Sequence, residues 1–282
     1  MTTPSSDDEP RRRYWTEQLE AGYELVQQLI SFPVIECGEG FGCLRAAAQS
    51  ADVEMLFAES QIGRNLGRVF SIRKSLVEDV IAIGQEMNRR GWVLKIEDGY
   101  RTLEMQTVLG RVPQVFDAIL QKCIWECRGE IPSVEFVFRR AMVLTANIPK
   151  TGTHLSGSAI DISVFERDNG REVWRGGPYP EMSELTPMRS PFVTDSELKT
   201  RLTITAIMES RGFMHYPFEY WHYNKGDAAA HILTGNSRPA RYGPVNWDPN
   251  TNTVTAVSDP MQPLHPLAAI DVEIKAAMDR LN

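Results

Sequence analysis

The residues best suited to chemistry are a histidine and an aspartate in one short segment. His154 and Asp161 are separated by Leu-Ser-Gly-Ser-Ala-Ile, whose glycine and small residues allow the chain to turn so that both side chains meet at one point. Imidazole and carboxylate together suit zinc, and a catalytic zinc ion usually takes three protein ligands and one water. The segment therefore predicts two ligands of a zinc site.

A second histidine and an acid follow about sixty residues further along the chain. His222 ends the aromatic segment Glu219-Tyr-Trp-His222 and is the expected third ligand. Glu219 supplies a carboxylate close to the metal-bound water, which a metallohydrolase needs. The pattern differs from the His-Glu-x-x-His helix of many zinc peptidases, because the acid precedes its histidine by three positions. The set indicates hydrolysis, and the alternative is a buried polar cluster without metal.

An arginine completes the candidate site. Arg101 follows a predicted strand over 92–97 through the turn Asp98-Gly-Tyr, which would lift it to the end of that strand. A guanidinium at such a point could stabilise a developing oxyanion or bind a substrate carboxylate. An arginine after a turn is, in isolation, usually a surface residue. Its assignment to the site therefore depends on the presence of the other four candidate residues.

The other histidines and the cysteines are not expected to act in the site, with one exception. His215 is close enough in sequence to Glu219 to line it, while His231 and His265 are expected to be structural or exposed. The four cysteines, at positions 37, 43, 123 and 127, form no Cys-x-x-Cys pair. We expect them to be reduced and packed, because a cytosolic chain seldom keeps disulfides.

The elements that must position the site are predicted from capping and periodicity. The predicted helices cover residues 11–30, 75–90, 102–127, 195–211 and 264–281. The predicted strands cover residues 92–97, 158–165 and 213–223, with a hairpin around 247–250. Two of the helices begin with apparent capping boxes, Ser75 with Glu78 and Thr194 with Glu197. Residues 134–145 fit a strand or a helix.

The chain as a whole predicts one α+β domain. Its 282 residues are 42% hydrophobic, enough for a large core, and contain neither an internal repeat nor a dividing linker. We expect a small central antiparallel sheet flanked by helices, with the zinc site at the sheet, over residues 11–282. Residues 1–10 are polar and are expected to be disordered. The long Gly- and Pro-rich loop 166–193 is expected to be functional or mobile.

Composition also narrows the partners and the location. A net charge of −7 argues against a nucleic-acid binder, which usually has a basic surplus. No stretch approaches the ~20 apolar residues that span a bilayer, and the first ten residues lack the apolar core of a secretory signal. We therefore expect a soluble, cytoplasmic protein that does not bind membranes, and the sequence leaves its oligomeric state open.

Three segments together resemble the zinc D-alanyl-D-alanine dipeptidases of the vancomycin-resistance type. They are Asp98-Gly-Tyr-Arg101, His154-x-x-Gly-x-Ala-x-Asp161 and Glu219-x-Trp-His222, and their order and spacing are similar to those of the family. The resemblance covers roughly residues 75–225. It implies zinc as the cofactor on the two histidines and Asp161, Glu219 as base and acid, and Arg101 as the group that stabilises the transition state.

The resemblance also implies an acid in the loop 166–193 that binds the free amine of the substrate. Glu184 is similar in position, and Glu181 is the other candidate. Two features depart from the family: Gly152 stands where a serine near the substrate is usual, and the loop is longer. Both departures concern the part of the site that would select the substrate.

The expected activity is hydrolysis of a small dipeptide, with D-Ala-D-Ala as the expected substrate, by Glu219-assisted attack of a zinc-bound water. One alternative is a carboxypeptidase that acts on cell-wall stem peptides. The other is a non-catalytic zinc-binding module of the same fold. Retention of both Glu219 and Arg101 favours an enzyme over a binding module.

Overall fold

The computed structural model describes residues 8–63 and 65–281, which form nine α-helices and nine β-strands. The helices are α1 (Asp8–Ser31), α2 (Leu44–Ser50), α3 (Val77–Arg89), α4 (Leu103–Leu109), α5 (Pro113–Glu126), α6 (Val134–Thr145), α7 (Asp195–Glu209), α8 (Ala228–Leu233) and α9 (Leu267–Leu281). The strands are β1 (Phe41–Cys43), β2 (Met55–Phe57), β3 (Ser71–Arg73), β4 (Trp92–Asp98), β5 (Ala159–Glu166), β6 (Met214–Tyr216), β7 (Glu219–Asn224), β8 (Val245–Asp248) and β9 (Thr253–Ala256).

Five of the strands form the central sheet, in the order β2-β4-β5-β7-β6. Neighbours from β4 to β6 are antiparallel, whereas β2 runs parallel to β4. Helix α3 lies in the connection between β2 and β4, and a crossover of this length allows two strands to run in the same direction. The α+β class is therefore confirmed, but the prediction of an antiparallel sheet is wrong at the β2 edge.

The inner strands are fixed by an apolar core between the sheet and two helices. Strand β5 contributes Ile160, Ile162 and Val164, all fully buried, and α3 and α7 cover them with side chains that include Met87 and Met208. Fully burying one such side chain contributes about 1.5–3 kcal/mol relative to exposure. Strands β4, β5 and β7, which carry most of the candidate site, consequently have little freedom to shift.

The two predicted capping boxes have different outcomes. The one at α7 is confirmed, because Thr194 accepts from the backbone N–H of Glu197 and the Glu197 side chain accepts from Thr194. The one at Ser75 is wrong. Ser75 lies in a short 3₁₀ turn before α3, and its hydroxyl contacts the Tyr242 hydroxyl at 2.9 Å instead. Tertiary contacts here outweigh the local capping pattern.

Two other predicted segments are interrupted by proline. The helix predicted over 102–127 is two helices, because Pro113 begins α5 after a break at 110–112. The aromatic strand predicted over 213–223 is the hairpin of β6 and β7, which turns at Pro217 and Phe218. Residues 134–145, which fit two interpretations, form helix α6. The hairpin predicted around 247–250 is confirmed by β8 and β9.

The N-terminal helix begins earlier than the sequence indicates. Helix α1 starts at Asp8, so residues 8–10 are helical rather than disordered, and residues 1–7 lie outside the described part of the chain. The extent of the domain, 11–282, stays a prediction. All four cysteines are free thiols. Within residues 8–63 and 65–281, no helix combines the length and the apolar character needed to cross a membrane.

Candidate metal centre

Two of the predicted ligands are brought together by strand pairing. Asp161 on β5 and His222 on β7 are direct partners in the antiparallel register, and both are buried. Directly opposed residues in an antiparallel pair have Cβ atoms about 4.5–5.5 Å apart, so their side chains meet on the same face. Asp161 is also the register partner of Asp98 on β4. A row of three polar residues therefore crosses the middle of the sheet.

The third predicted ligand, His154, reaches this row through a tight turn before β5. Gly157 has φ +67°, which side chains other than glycine rarely adopt, and a Cβ there would lie 2.1 Å from the Phe41 ring. The carbonyl oxygen of His154 accepts from the backbone N–H groups of Gly157 and Arg101, at 3.1 and 3.2 Å. The turn thus fixes His154 and ties it to the segment that carries Arg101.

The three side chains form a group that could hold a metal ion. Their ligand atoms lie within 4.8 Å of one another, and His154 Nε2 and His222 Nδ1 are 3.2 and 2.9 Å from Asp161 Oδ1. His154 Nδ1 donates to the carbonyl oxygen of Gly99 at 2.7 Å, which leaves its Nε2 lone pair for a metal. Histidine ligands usually have such a partner on the second nitrogen. The two imidazoles, the Asp161 carboxylate and the hydrogen bond to Gly99 fit a zinc ion.

Asp161 is held ionised. Burial opposes its ionisation, but His154 and His222 keep the pKa of its carboxyl well below the usual range. Its second oxygen accepts from the Tyr179 hydroxyl at 3.0 Å and from Arg101 Nη2 at 3.3 Å. Burial and the nearby Asp161 charge raise the pKa of Tyr179 well above its usual value, so this phenol remains a donor. Asp161 Oδ2 is therefore hydrogen-bonded to Tyr179 and Arg101, while Oδ1 faces the two histidines.

Glu219 lies beside the metal-binding group without belonging to it. It begins β7, and its Oε2 is 3.9 Å from His222 Nδ1. Burial raises the pKa of its carboxyl to about 7, with His222 and Arg101 opposing the rise and Asp161 adding to it. Its side chain is 21% exposed, toward the cavity described below. An acid with a pKa near neutrality can both accept and return a proton.

Arg101 is held between two aspartates. Its Nε donates to Asp98 Oδ2 at 2.7 Å, its Nη2 to Asp161 Oδ2 at 3.3 Å, and its Nη1 to Gln106 Oε1 at 3.3 Å. Burial alone would lower the pKa of the guanidinium, but the two acids raise it above its usual value. The charge of Arg101 is therefore permanent, and its position next to the Asp161 carboxylate is fixed.

These groups line one cavity of about 180 Å³. Of the predicted site residues, the cavity wall contains Arg101, His154, Asp161, Glu181, Glu219 and His222. The wall also contains polar residues that the sequence did not single out, namely Arg68, Asp98, Thr153, Tyr179 and Tyr216. Pockets for drug-sized ligands usually enclose about 300–1,000 Å³. The volume here suits a smaller molecule.

The two candidate amine-binding acids have different positions. Glu181 lines the cavity and forms no ion pair with any residue in the described ranges. Glu184 is not among the lining residues, and its carboxylate is paired with Arg11 at 2.6 Å and with Lys122 at 3.3 Å. These ion pairs, which join the loop to α1 and α5, occupy the carboxylate. The placement favours Glu181 over Glu184 as the acid that contacts a substrate.

The remaining histidines lie away from the cavity. His215 Nδ1 is 2.6 Å from Glu209 Oε1, and His215 is not among the lining residues. His265 is buried, with its Nε2 2.9 Å from the Thr107 carbonyl oxygen, as a structural residue would be. His231 Nδ1 donates to the carbonyl oxygen of Arg238 near the surface.

The cavity-wall residues that were not predicted have only weak local patterns in the sequence. Asp98 stands in the same Asp-Gly-Tyr-Arg segment as Arg101, so its place next to the site could have been inferred. Thr153 precedes a ligand, and its hydroxyl lies 2.9 Å from His222 Nε2. Tyr179 and Arg68 come from irregular segments, and only the tertiary structure brings them to the cavity.

Two histidines and a carboxylate, with a separate acid and an arginine on the same cavity wall, are the set of groups that a metal-dependent peptidase requires. Comparison of the sequence with known families agrees with this class. The family model described as D-ala-D-ala dipeptidase matches residues 72–239, and the chain belongs to this family, peptidase M15. The matched region contains every site residue predicted from the sequence, whereas Arg68 of the cavity wall lies just before it.

Several curated relatives share this family. The chain is 30% identical over 92 residues to the D-alanyl-D-alanine dipeptidase of Enterococcus faecalis, which covers 33% of this chain and 44% of the relative. It is 23% identical over 210 residues to the D-alanyl-D-alanine dipeptidase of Escherichia coli. This alignment covers 74% of this chain and 89% of the relative. The alignment to the Enterococcus faecium enzyme, at 31% identity, likewise spans less than half of that relative, 42%.

One solved structure has only a weak likeness to this chain. It is described as the structure of the LdcB LD-carboxypeptidase, which reveals the molecular basis of peptidoglycan recognition. The likeness has a TM-score of 0.35 at 18% identity and covers 67% of this chain and 72% of the other. A likeness of this strength does not bear on the substrate.

Proposed function

We propose that the protein is a zinc-dependent dipeptidase whose substrate is a short peptide with a free amine, D-Ala-D-Ala being the expected one. The observation that carries the proposal is the arrangement around one small cavity. His154, Asp161 and His222 form a possible metal group, with Glu219 and Arg101 on the same wall. Relatives of this family are named D-alanyl-D-alanine dipeptidases, which supports the substrate class.

The residues divide the chemistry between them. Zinc, when bound to the three ligands, supplies a Lewis acid that lowers the pKa of water and polarises a carbonyl group. Glu219 Oε2 accepts a proton from the attacking water and returns it to the departing amine nitrogen. The Arg101 guanidinium, held by Asp98 and Asp161, pairs with the negative charge that grows on the carbonyl oxygen. Each role corresponds to a group already placed on the cavity wall.

Substrate size and charge favour a dipeptide. The cavity of about 180 Å³ has room for a small molecule, and Glu181 offers a carboxylate that no described cation occupies. A free amine bound there would form a charge-assisted hydrogen bond with Glu181, which is partly buried. A stem-peptide carboxypeptidase would need room for a longer, blocked chain on the amino side.

A non-catalytic zinc-binding module remains the rival from a different class. Such a module needs the three ligands but has no use for a separate acid on the same cavity wall or for a fixed arginine beside the ligands. Both are present, which favours an enzyme. The cytoplasmic location and the absence of nucleic-acid partners stay predictions from the sequence.

The proposal is tested by assaying zinc-loaded protein against L,L, L,D and D,D dipeptides, their N-acetyl forms and a tetrapeptide ending in D-Ala-D-Ala. We expect hydrolysis of free dipeptides and at least ~100-fold slower hydrolysis of the acetylated and longer peptides, because these lack the charged amine that would form a charge-assisted hydrogen bond with Glu181. Equal rates on free and acetylated peptides would instead support a carboxypeptidase. Zinc binding without any hydrolysis would support a binding module.

A further inference from the structure

Two guanidinium groups meet at one buried carboxylate on the cavity wall. Asp98 is fully buried, and its Oδ2 lies 2.7 Å from Arg101 Nε and 2.7 Å from Arg68 Nη1. Its Oδ1 accepts from the backbone N–H of Gly99 at 3.0 Å. Arg101 is also paired with Asp161, at 3.3 Å, whereas Arg68 has Asp98 as its carboxylate partner in the described ranges. The two arginines therefore differ in how fully the protein itself occupies their donors.

The hydrogen bonds of the two arginines indicate which of them would receive that anion. Arg101 uses Nε, Nη1 and Nη2 to contact Asp98, Gln106 and Asp161. Arg68 uses Nη1 for Asp98 and Nε for the carbonyl oxygen of Ser60, at 3.0 Å. Its Nη2 donates to no residue within 8–63 and 65–281, and its side chain lines the cavity with 13% exposed. Arg68 thus has a donor edge available for a ligand.

Two neighbouring residues on the cavity wall, Gly152 and Thr153, offer no free side-chain donor to a carboxylate. Gly152 lines the cavity beside the metal ligands and offers no hydroxyl group. The Thr153 hydroxyl is engaged with His222 Nε2 at 2.9 Å. The acidic groups Glu181 and Glu219 on the same wall would repel an anion, so a carboxylate would be drawn away from them and toward the open donor edge of Arg68. A dipeptide carries one amine and one carboxylate, and these two regions match them.

We propose that Arg68 binds the terminal carboxylate of the substrate and thereby restricts the site to peptides with a free carboxyl end. This inference rests on the proposed function, since it identifies the subsite that holds the second charged group of a dipeptide. Asp98 acts as the shared counter-ion that holds Arg68 and Arg101 side by side. A guanidinium fork suits this task, because it matches the planar geometry of a carboxylate.

The test compares D-Ala-D-Ala with its C-terminal amide, which keeps the shape and loses the charge. We expect the zinc-loaded wild type to favour the dipeptide in kcat/KM by about 10- to 100-fold, the range of one hydrogen bond to a charged group. Arg68→Gln should lose this preference by slowing hydrolysis of the dipeptide while leaving the amide unchanged. Arg68→Lys should restore part of it. Arg90→Gln, a surface arginine paired with Glu86, is the matched control and should behave as wild type.

The result that would overturn the inference is an unchanged preference in Arg68→Gln, or an equal loss on both compounds at normal zinc content and thermal stability. The Arg68→Lys variant covers the case in which Arg68→Gln fails to fold. An unchanged preference in Arg68→Lys would likewise overturn the inference, since a lysine cannot reproduce the fork.

Binding measurements separate this inference from the proposed function. Dissociation constants for the dipeptide and the amide are measured by calorimetry on zinc-loaded Glu219→Gln protein, with and without Arg68→Gln. We expect Arg68→Gln to weaken dipeptide binding at least tenfold and to leave amide binding unchanged. The same pattern in a wild type that hydrolyses no peptide would reject the dipeptidase and keep the carboxylate subsite. Equal binding of both compounds, or binding of neither, would overturn the subsite.

Discussion

Asp161 and His222 are direct partners across strands β5 and β7, and Asp161 Oδ1 lies 2.9 Å from His222 Nδ1. Two members of the candidate metal-binding group are therefore placed by the register of the sheet. A slip of one residue between the two strands would move one side chain to the opposite face. The buried aliphatic residues of β5, such as Ile160 and Ile162, prevent that slip. Core packing and the site thus depend on the same register.

The first prediction concerns the metal ligands. His222→Ala should lose most bound zinc, because three-ligand sites rarely survive the loss of one ligand. His215→Ala is a matched control, since His215 lies on the neighbouring strand β6 and outside the cavity. Zinc content by elemental analysis should be close to one per chain in the control and the wild type. Full zinc occupancy in His222→Ala would reject the ligand assignment.

The second prediction concerns pH and the stability of the zinc-free protein. The pKa of Glu219 is about 7 in the folded chain, above its ordinary value, so the folded state binds the proton more tightly than the unfolded state. Protonated Glu219 is compatible with the folded state at low pH, and the free energy of unfolding falls as the pH rises toward and through 7, because the buried carboxyl must then ionise. Glu219→Gln should therefore raise the melting temperature of zinc-free protein at pH 8 more than at pH 5.

Thermal unfolding of chelated wild type and Glu219→Gln across this pH range checks the second prediction. Bound zinc should remove the gain at pH 8, because the cation stabilises the ionised carboxylate. A gain that is the same at pH 5 and pH 8 would show that Glu219 titrates outside this window.

The third prediction concerns Arg101. Arg101→Ala should keep its zinc and lose about 10²–10³ in kcat, the usual loss when one group that stabilises an oxyanion is removed. Arg101→Lys should recover only part, because a point charge cannot contact Asp98 and Asp161 together as the guanidinium does. Steady-state kinetics distinguish the roles. An unchanged kcat with a raised KM would mean that Arg101 only binds the substrate.

The fourth prediction separates the two candidate amine-binding acids. Glu181→Gln should reduce kcat/KM for free dipeptides and leave the slow hydrolysis of N-acetyl dipeptides unchanged, because only the free amine carries the charge that Glu181 would pair. Glu184→Gln should not alter this preference, since Glu184 is paired with Arg11 and Lys122. Rates on the two substrates for the two variants check it. A loss of preference in Glu184→Gln alone would reverse the assignment.

Much of the site was predictable from the sequence because its residues lie in short segments with specific spacing. His154 with Asp161, and Glu219 with His222, each occupy one segment, and the pairing of β5 with β7 joins the two. The two histidines and Asp161 converge in one buried group that could hold a metal ion, and their role as ligands stays a prediction.

The parts that could not be predicted depend on tertiary contacts. Arg68 comes from an irregular segment, and nothing local indicates that it meets Asp98. Glu184 has a suitable position in the loop, but it pairs with Arg11 of α1, a residue 173 positions away in the sequence, and only the docking of α1 brings the two together. The parallel β2 strand was missed because its three residues give no periodic pattern. Short strands and long-range ion pairs leave little local signal.

The most direct test of the account is the activity of zinc-loaded Glu219→Gln protein. Glu219 is the one proposed catalytic acid that is not needed as a ligand, and an amide cannot carry a proton from the water to the leaving amine. Zinc content and D-Ala-D-Ala hydrolysis are measured on the same preparation. We expect the zinc content of Glu219→Gln to equal that of the wild type and its kcat to fall by about 10²–10⁴. Normal zinc with hydrolysis within tenfold of wild type would contradict it.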